Sequence, residues 1–441
     1  MQIPQNIADI LSRLERAGYE AYIVGGCVRD SLMGQAPHDF DITTSALPEE
    51  TMAVFADMQV IPTGLKHGTV TVLADGEPVE ITTYRVDGDY ADGRHPDEVR
   101  FTRSLSEDVS RRDFTMNGIA YSPTRGIADE YGGAEDIRRG LIRCIGEADK
   151  RFSEDALRIL RALRFSAVLG FDIEEETSLS LRRNRGLLSN VSGERILVEL
   201  QKLICGRNAV QVLRVYPEVF AQVIPELSPC IGYEQHSRFH TLTLYEHIVE
   251  AVGNAPCDDG LRLAMLLHDI GKPLTQSVDD KGEWHFYEHA EKSAVLAETA
   301  LGRFHCSNAL KERVCTIIRY HGAVLENNDR CIRRWLSKHG LDLFRDIMLA
   351  HIADDSAKVE FAKERIPLWR EMIRRAEDIA AQQPCLSIKD LAISGSDLAQ
   401  LMPPSPKMGE TLRFLLGQVV DGVLPNERDI LLVQARRYLE R

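Results

Sequence analysis

Asp39 and Asp41 stand two residues apart, shortly after the run Gly25-Gly26-Cys27-Val28-Arg29-Asp30. Alternation along a strand would put both carboxylates on one face, where they could grip the same divalent ions. The glycine pair lets a backbone approach a phosphate closely, and the helix start beyond it favours anions. A phosphate cradle beside paired carboxylates is the equipment of phosphoryl or nucleotidyl transfer. Glu80, on a neighbouring predicted strand, could complete a three-carboxylate set; it reads equally well as an exposed strand residue. In a two-metal site one ion activates an attacking 3′-hydroxyl and the other steadies the triphosphate and the departing pyrophosphate.

Three further clusters carry chemistry. Arg111-Arg112-Asp113-Phe114-Thr115-Met116-Asn117-Gly118 places two guanidinium groups beside a carboxylate, suited to a triphosphate and a ribose hydroxyl; a capped helix start with a surface ion pair is the plainer reading. In Glu154-Asp155-Ala156-Leu157-Arg158, extended to Phe165, helical spacing gathers Phe152, Ala156, Ile159, Leu160, Leu163 and Ala167 on one apolar face. Asp155, Arg158, Arg161 and Arg164 then occupy the opposite half. Asp155 and Arg158, three residues apart, are expected to lock one another and to offer donors and an acceptor to the edge of a base. The fourth cluster is His247, His268-Asp269 and His289, with His321 and Asp354 further on. Neutral imidazoles with a carboxylate suit a divalent transition metal that activates water on a phosphate.

The elements that must position these groups change character along the chain. Residues 1–137 read as α/β. A helix over Ile7–Ala17 leads to the apolar strand Ala21–Val24, the glycine turn, a short helix and the strand bearing the two aspartates. Thr69–Leu73 and Val79–Tyr84 read as a hairpin across Asp75-Gly76. Asp87 to Pro96 is polar and glycine-containing. From about Ile137 the period becomes helical, with little strand signal. Breaks are expected at Pro225–Pro229, at Gln382-Gln383-Pro384 and at Pro403–Pro406. No internal repeat or low-complexity segment stands out.

The 441 residues suffice for two to four domains, and 44% hydrophobic with 27% charged residues reads as a soluble globular protein. No run of about 18 apolar residues predicts a membrane span. The N-terminal residues show no secretory leader. Nine cysteines, an odd number without a Cys-x-x-Cys pair, point to reduced thiols in a cytoplasm. The net charge of −14 argues against a generally basic nucleic-acid binder, yet residues 138–214 hold 15 Lys/Arg against 10 Asp/Glu. A basic middle in an acidic chain can mark a polyanion groove.

Taken in order, these motifs resemble the signatures of class II CCA-adding tRNA nucleotidyltransferases and bacterial poly(A) polymerases, over nearly the whole chain. The resemblance implies an α+β fold. A nucleotidyltransferase head with a mixed sheet would span 1–137, a base-reading and RNA-binding helical neck 138–225, a helical body with an HD-type domain 226–383, and a helical tail 384–441. It implies that Asp39 and Asp41 hold Mg2+ and that Gly26 and Arg29 contact the triphosphate. Arg112 and Asp113, with Asn117 in the same motif, would address triphosphate and ribose. Asp155 and Arg158 would read the incoming base, with Arg161 and Arg164 beside them. Asp87-Gly88-Asp89-Tyr90 through Arg94-His95-Pro96 resembles the loop such enzymes use to switch from C to A. Gly118 stands where the family usually has alanine. His247, His268 and Asp269 resemble the metal ligands of HD-type phosphohydrolases. The segment from Leu391 to Gly409 resembles the C-terminal segment of HD-containing bacterial members, a resemblance that implies contact with the outer corner of tRNA.

The expected activity is therefore completion or repair of the 3′ CCA end of tRNA from CTP and ATP. Poly(A) synthesis, addition of only CC or only A, and an HD phosphohydrolase as the main activity are the alternatives. A non-catalytic RNA-binding module is disfavoured, because paired carboxylates are costly without a cation.

Overall fold

The computed structural model describes residues 1–37, 39–88, 99–280 and 282–440. The architecture is α+β, and the chain divides into two compact units, Met1–Pro225 and Glu226–Arg441.

The first unit is built on a seven-stranded mixed sheet. Its strands are β1 (Ala21–Val24), β2 (Asp41–Thr44), β3 (Val60–Gly64), β4 (Thr69–Ala74) and β5 (Glu77–Thr83). A separate two-stranded pair, β6 (Arg85–Asp87) and β7 (Val99–Phe101), comes next in the chain, and β8 (Ala120–Ser122) and β9 (Gly126–Ala128) complete the sheet. The order is β3-β4-β5-β2-β1-β8-β9. β1 lies between β2 and β8 with all four residues buried, which is why it reads as a continuous apolar run and not as an alternation. β2 runs antiparallel to β1 and parallel to β5. The hairpin β4–β5 turns at Asp75 (φ 54°) and Gly76 (φ 84°), the positive pair whose twist suits a two-residue connection. The helix Gln5–Arg16 buries Ile7, Ile10, Leu11 and Leu14, the spacing of one helical stripe.

The apolar residues expected on one face at 152–167 are all buried, but they are divided between two helices: Phe152 lies in Ala148–Glu154, Ile159, Leu160, Leu163 and Ala167 lie in Leu157–Leu169, and Ala156 is the residue just before the second. The chain is extended at Asp155 between them (φ −141°, ψ 103°). Short strand pairs also interrupt the helical half: Leu141–Ile142 with Asp172–Ile173, and Gln276–Val278 with Trp284–Phe286.

The second unit is helical apart from that hairpin. Thr243 and Glu246 form a reciprocal cap at the start of the helix Leu244–Asn254, and Asp258 caps Asp259–Leu267 by accepting from the Leu261 amide at 2.7 Å. The long helix Asp329–Ser356 breaks at Gly340 (φ 75°, ψ 172°), a conformation that glycine admits without strain. Ile332, Leu336, Phe344, Met348, Trp369 and Met372 form one core; Leu391, Ile393, Leu398, Leu415 and Leu431 form a smaller one near the C-terminus. All nine cysteines are free thiols. Among the described residues no helix is long and apolar enough to cross a membrane. Of the Asp87–Pro96 segment expected to serve nucleotide switching, Asp87 and Gly88 are described and the rest lies outside the described residues.

Candidate active site

β1 delivers the chain to Gly25, whose φ of 86° and ψ of −137° only glycine adopts readily. The helix Gly26–Leu32 starts there. Because Val24 pairs with Asp41, the first residue of β2 lies beside that turn. A Cβ at Gly25 would sit 3.6 Å from Arg112 Nη1 and 3.9 Å from Asp41 Oδ2. Bare backbone, a carboxylate and a guanidinium therefore meet at one place.

Asp39 is placed differently from the expectation. β2 begins at Asp41, so Asp39 lies ahead of the strand on an exposed stretch and does not share a strand face with Asp41. The two still feel each other. Burial and the Asp39 charge push the Asp41 carboxyl up, and Arg112 offsets part of this. A carboxylate held in this way favours an added cation, which fits a divalent ion. Glu80 is exposed on β5; since Ile42 pairs with Ile81, it stands in register beside Asp41 but outside the cavity lining.

The cavity, about 440 Å³, brings together Gly26, Arg29, Asp41, Arg112, Asp113 and Asn117 from the head with Asp155, Arg158, Arg161 and Arg164. Asp113 is its hub. One carboxylate oxygen accepts a fork from Arg161 Nε and Nη2, at 2.9 and 2.7 Å. The other accepts from the Phe114 amide at 2.8 Å and from Asn117 Nδ2 at 3.0 Å. Burial opposes ionisation of Asp113, but the Arg161 charge and these hydrogen bonds prevail and hold its carboxyl down to about 2. Asn117 Oδ1 in turn accepts from Arg29 Nη1 at 2.8 Å, while Arg29 also grips Asp30.

The expected Asp155–Arg158 pair does not form. Asp155 sits at the helix break, where its Oδ1 accepts from the Leu157 amide at 3.1 Å and its Oδ2 from Arg195 Nη2 at 2.9 Å. Arg158 is buried and turned the other way. It donates to Glu154 at 2.8 Å and to the carbonyls of Arg151 and Arg111 at 3.1 and 2.8 Å. The i, i+3 argument assumed one uninterrupted helix, and the break at Asp155 removes that geometry. Arg164 donates to Glu199 at 2.6 Å.

Several site residues escaped sequence reasoning. Phe165 lies under the Arg164 guanidinium at 3.8 Å, with those of Arg29 and Arg161 at 5.0 and 5.5 Å from its centroid. Arg195 and Glu199 come from the helix Gly193–Ile204, where their i, i+4 spacing was the available signal. Gly118 is more constrained than a small-for-small change suggests: a Cβ there would lie 2.7 Å from Ile145 Cδ1 and 3.1 Å from Val109 Cγ1.

The second unit gathers its own cluster. His247, His268, Asp269 and Asp354 are buried, with Nε2 of His247 3.1 Å from Asp354 Oδ1 and 3.3 Å from Asp269 Oδ2. His268 Nε2 is 3.2 Å from Asp269 Oδ2. On the other side of Asp269, His289 and His321 approach Oδ1 at 3.4 and 3.5 Å. The Nδ1 atoms of His268, His289 and His321 each face the carbonyl three residues back, Met265, Phe286 and Ile318, at 2.6–2.7 Å. A proton on Nδ1 leaves Nε2 as a lone pair, the tautomer that binds metal. His247 and His268 have their Nε2 atoms 3.3 Å apart, as do His289 and His321. That spacing is the edge of a tetrahedron with metal–nitrogen bonds of about 2.0–2.1 Å. Asp269 Oδ1 and Asp354 Oδ1 are buried without a hydrogen bond in good geometry. Burial disfavours the His268 imidazolium, yet Asp269 and Asp354 push its pKa up to about 9, so a metal bound there would displace the Nε2 proton; burial pushes His289 down to about 4. A cavity of about 540 Å³ opens from this cluster.

The sheet and the cavity it carries define a nucleotidyltransferase. Residues 21–143 match the model of the poly A polymerase head domain. Residues 170–231 match the probable RNA and SrmB- binding site of polymerase A, and 284–435 match a putative second domain of tRNA nucleotidyltransferase. The chain belongs to the family of CCA-adding enzymes. It is 50% identical over 433 residues to the CCA-adding enzyme of Leuconostoc citreum (strain KM20), covering 98% of this chain and 95% of that enzyme. With the CCA-adding enzyme of Leuconostoc mesenteroides subsp. mesenteroides the match is 49% over 217 residues, 48% of this chain and 54% of that one. Among solved structures, the Bacillus stearothermophilus CCA-adding enzyme in complex with CTP superposes with a TM-score of 0.74 at 30% identity, covering 100% of this chain and 98% of that one.

Proposed function

We propose that this enzyme completes or repairs the 3′-terminal CCA of tRNA, adding nucleotides from CTP and ATP with release of pyrophosphate. The observation that carries the reading is the head cavity. It holds a carboxylate beside a glycine turn, a ring of arginines and an aspartate at a helix break, in a chain half identical along 98% of its length to a CCA-adding enzyme. The cytoplasm is the compartment that this substrate implies, and the division into head, neck, body and tail at residues 137, 225 and 383 is our reading of how the work is shared.

Asp39 and Asp41, with Glu80 in register beside Asp41, would hold Mg2+, which when bound there activates the 3′-hydroxyl and neutralises the triphosphate. The chain supplies the rest. Gly25 and Gly26 keep side chains away from the phosphates. Arg29 and Arg112 add positive charge, and a ribose hydroxyl would reach Asp113 by displacing one of the four hydrogen bonds that it accepts from Arg161, the Phe114 amide and Asn117. Asp155 accepts from a base. Among the described residues Arg158 uses three of its five N–H donors on Glu154, Arg151 and Arg111, which leaves two for a base edge. Side chains of fixed position, not a nucleic-acid template, then choose the nucleotide. A tRNA lacking its 3′ end, offered CTP and ATP separately and together, tests this. CC from CTP alone and CCA from both support it. Poly(A) or single-nucleotide products would reassign the enzyme within its family.

The histidine–aspartate cluster supports a second reading. We infer that His247, His268, Asp269 and Asp354 hold a divalent transition metal in an HD-type phosphohydrolase site, with His289 and His321 on the other face of Asp269. The three histidines whose Nδ1 protons are committed to backbone carbonyls carry this inference. Metal content of the purified protein, and hydrolysis of 2′,3′-cyclic phosphates or phosphomonoesters with nickel, manganese or magnesium, decide it. Stoichiometric metal lost in His268→Ala/Asp269→Ala supports the site; no metal in either protein removes it.

A further inference from the structure

Asp108 is a fully buried carboxylate that the mechanism above does not use. It lies on the short helix Leu105–Ser110, just before Arg111 and Arg112. Its Oδ1 accepts from Arg111 Nε and Nη2 at 3.0 and 2.8 Å and from the Arg85 amide at 3.3 Å. Its Oδ2 accepts from Thr43 Oγ1 at 3.1 Å and pairs with Arg112 Nη2 at 3.6 Å. One side chain thus touches β2 two residues beyond Asp41, the start of β6, and both arginines. Arg111 extends the network to Asp87 at 3.6 Å.

Arg112 has two carboxylates competing for it. Its ion pair is with Asp108, while its Nη1 approaches the same point beside Gly25 as Asp41 Oδ2. Asp41 acts on it electrostatically, as does Asp113, whose carboxylate is already engaged by Arg161 and Asn117. A guanidinium released from Asp108 would be drawn toward Asp41, whose charge already acts on it and whose Oδ2 faces the same point beside Gly25. It would then occupy oxygens that a divalent ion needs.

We propose that Asp108 is a positioning residue that holds Arg112 off Asp41, keeping that carboxylate available to a divalent cation while Arg112 stays at the cavity wall. The proposal rests on the reading of Asp41 as a metal ligand. Asp108 does not touch the reacting atoms; it acts through Arg112 and, by way of Thr43, through β2. A neutral residue of the same shape should leave the packing intact and let Arg112 move toward Asp41.

The test is Asp108→Asn, whose amide oxygen in the Oδ1 position can still accept from the Arg85 amide while its amide nitrogen, in the Oδ2 position, donates to the Thr43 hydroxyl. All variants are made in the His268→Ala/Asp269→Ala background, so that ions held by the second unit do not contribute. Mn2+ binding without nucleotide is followed by loss of the free-ion paramagnetic resonance signal, and Mg2+ dependence by nucleotide addition to tRNA. Asp108→Asn should weaken Mn2+ binding and raise the Mg2+ concentration for half-maximal rate by about tenfold, the scale of one added charge near the site. The rate should recover to within a few-fold at saturating Mg2+, which damage to packing would not allow. Arg111→Ala is the reciprocal variant: it leaves the Asp108 charge to Arg112 alone, so Mn2+ should bind at least as tightly as in the parent. Unchanged metal dependence in Asp108→Asn, or weaker Mn2+ binding in Arg111→Ala, overturns the proposal, and the second arm decides should Asp108→Asn fail to fold. Equal Mn2+ binding by the parent and by Asp41→Ala would instead refute the metal reading of Asp41.

Discussion

The head cavity and the cluster in the second unit are opposite solutions to one electrostatic problem. In the head, arginines converge and are tied down by carboxylates: Arg161 by Asp113, Arg164 by Glu199, Arg158 by Glu154. Cations held in advance, around an open cavity, are ready for an anion with several oxygens and lose little freedom when it arrives. In the second unit, acceptors converge instead. Imidazole Nε2 atoms and two buried aspartates face one another at the end of a cavity, and the aspartates are paired with two lysines, Lys272 2.6 Å from Asp269 and Lys358 2.5 Å from Asp354. The first arrangement asks for a polyanion and the second for a small cation. What a site lacks in charge is as informative as what it contains.

The largest effect that would break this comparison is expected at Asp41. Asp41→Ala should lower nucleotide addition by roughly 10³ or more, because it removes the carboxylate at the meeting point of turn and arginine. Folding and metal content of the second unit should be unchanged. Near-normal incorporation by the folded variant would show that the head needs no cation there, and the contrast between the two sites would lose one side.

Arg158→Ala sharpens the reading of the arginine ring. Selectivity for CTP and ATP over UTP and GTP should fall about tenfold to a hundredfold, since base-edge hydrogen bonds left unmade cost about 1–3 kcal/mol each. Its bond to the Arg111 carbonyl makes some loss of overall rate expected as well. An equal slowing with all four nucleotides would mean that Arg158 only braces the Arg111 segment. Misincorporation measured at matched conversion separates the two.

Acid offers a third probe. The Asp113 carboxyl is held down to about 2 in the folded protein, below its ordinary 3.8. A depressed pKa adds stability above the unfolded value and loses it as pH falls through the folded one. Asp113 should therefore contribute on the order of 2 kcal/mol above pH about 4, lost between about 4 and 2. Denaturation of the native protein and of Asp113→Asn across that window should show a flatter acid limb in the variant. Parallel limbs would mean that Asp113 is no hub.

The smallest expected effect is the most telling about independence. His268→Ala/Asp269→Ala should leave CCA synthesis within a few-fold of the native rate while removing the metal ligands of the second unit. Loss of tRNA end synthesis in the folded double variant would show that the two sites are energetically linked.

Much of the head was legible before folding. The glycine turn before a helix, the Asp75-Gly76 hairpin and the stripe Ile7, Ile10, Leu11, Leu14 all depend on backbone preferences and spacings within a few residues, and sequence states those directly. The chemical type of each site was legible for the same reason: paired aspartates, clustered arginines and ordered histidines announce their charge and their donors. Partnership was not. Asp155 takes Arg195, forty residues on, in place of Arg158 on its own turn. Arg164 takes Glu199, and Asp108 draws Thr43, Arg85 and Arg111 to one carboxylate. Asp354 reaches the His247–His268 pair from the end of the helical segment Asp329–Ser356, beyond its break at Gly340. A helix break at one residue turned Arg158 away from Asp155, and no local spacing rule could have shown it. The sequence by itself determined which groups exist and which short elements carry them. Only the tertiary structure decided which group meets which, because buried charges are satisfied by whatever packing brings within about 3 Å, however distant along the chain.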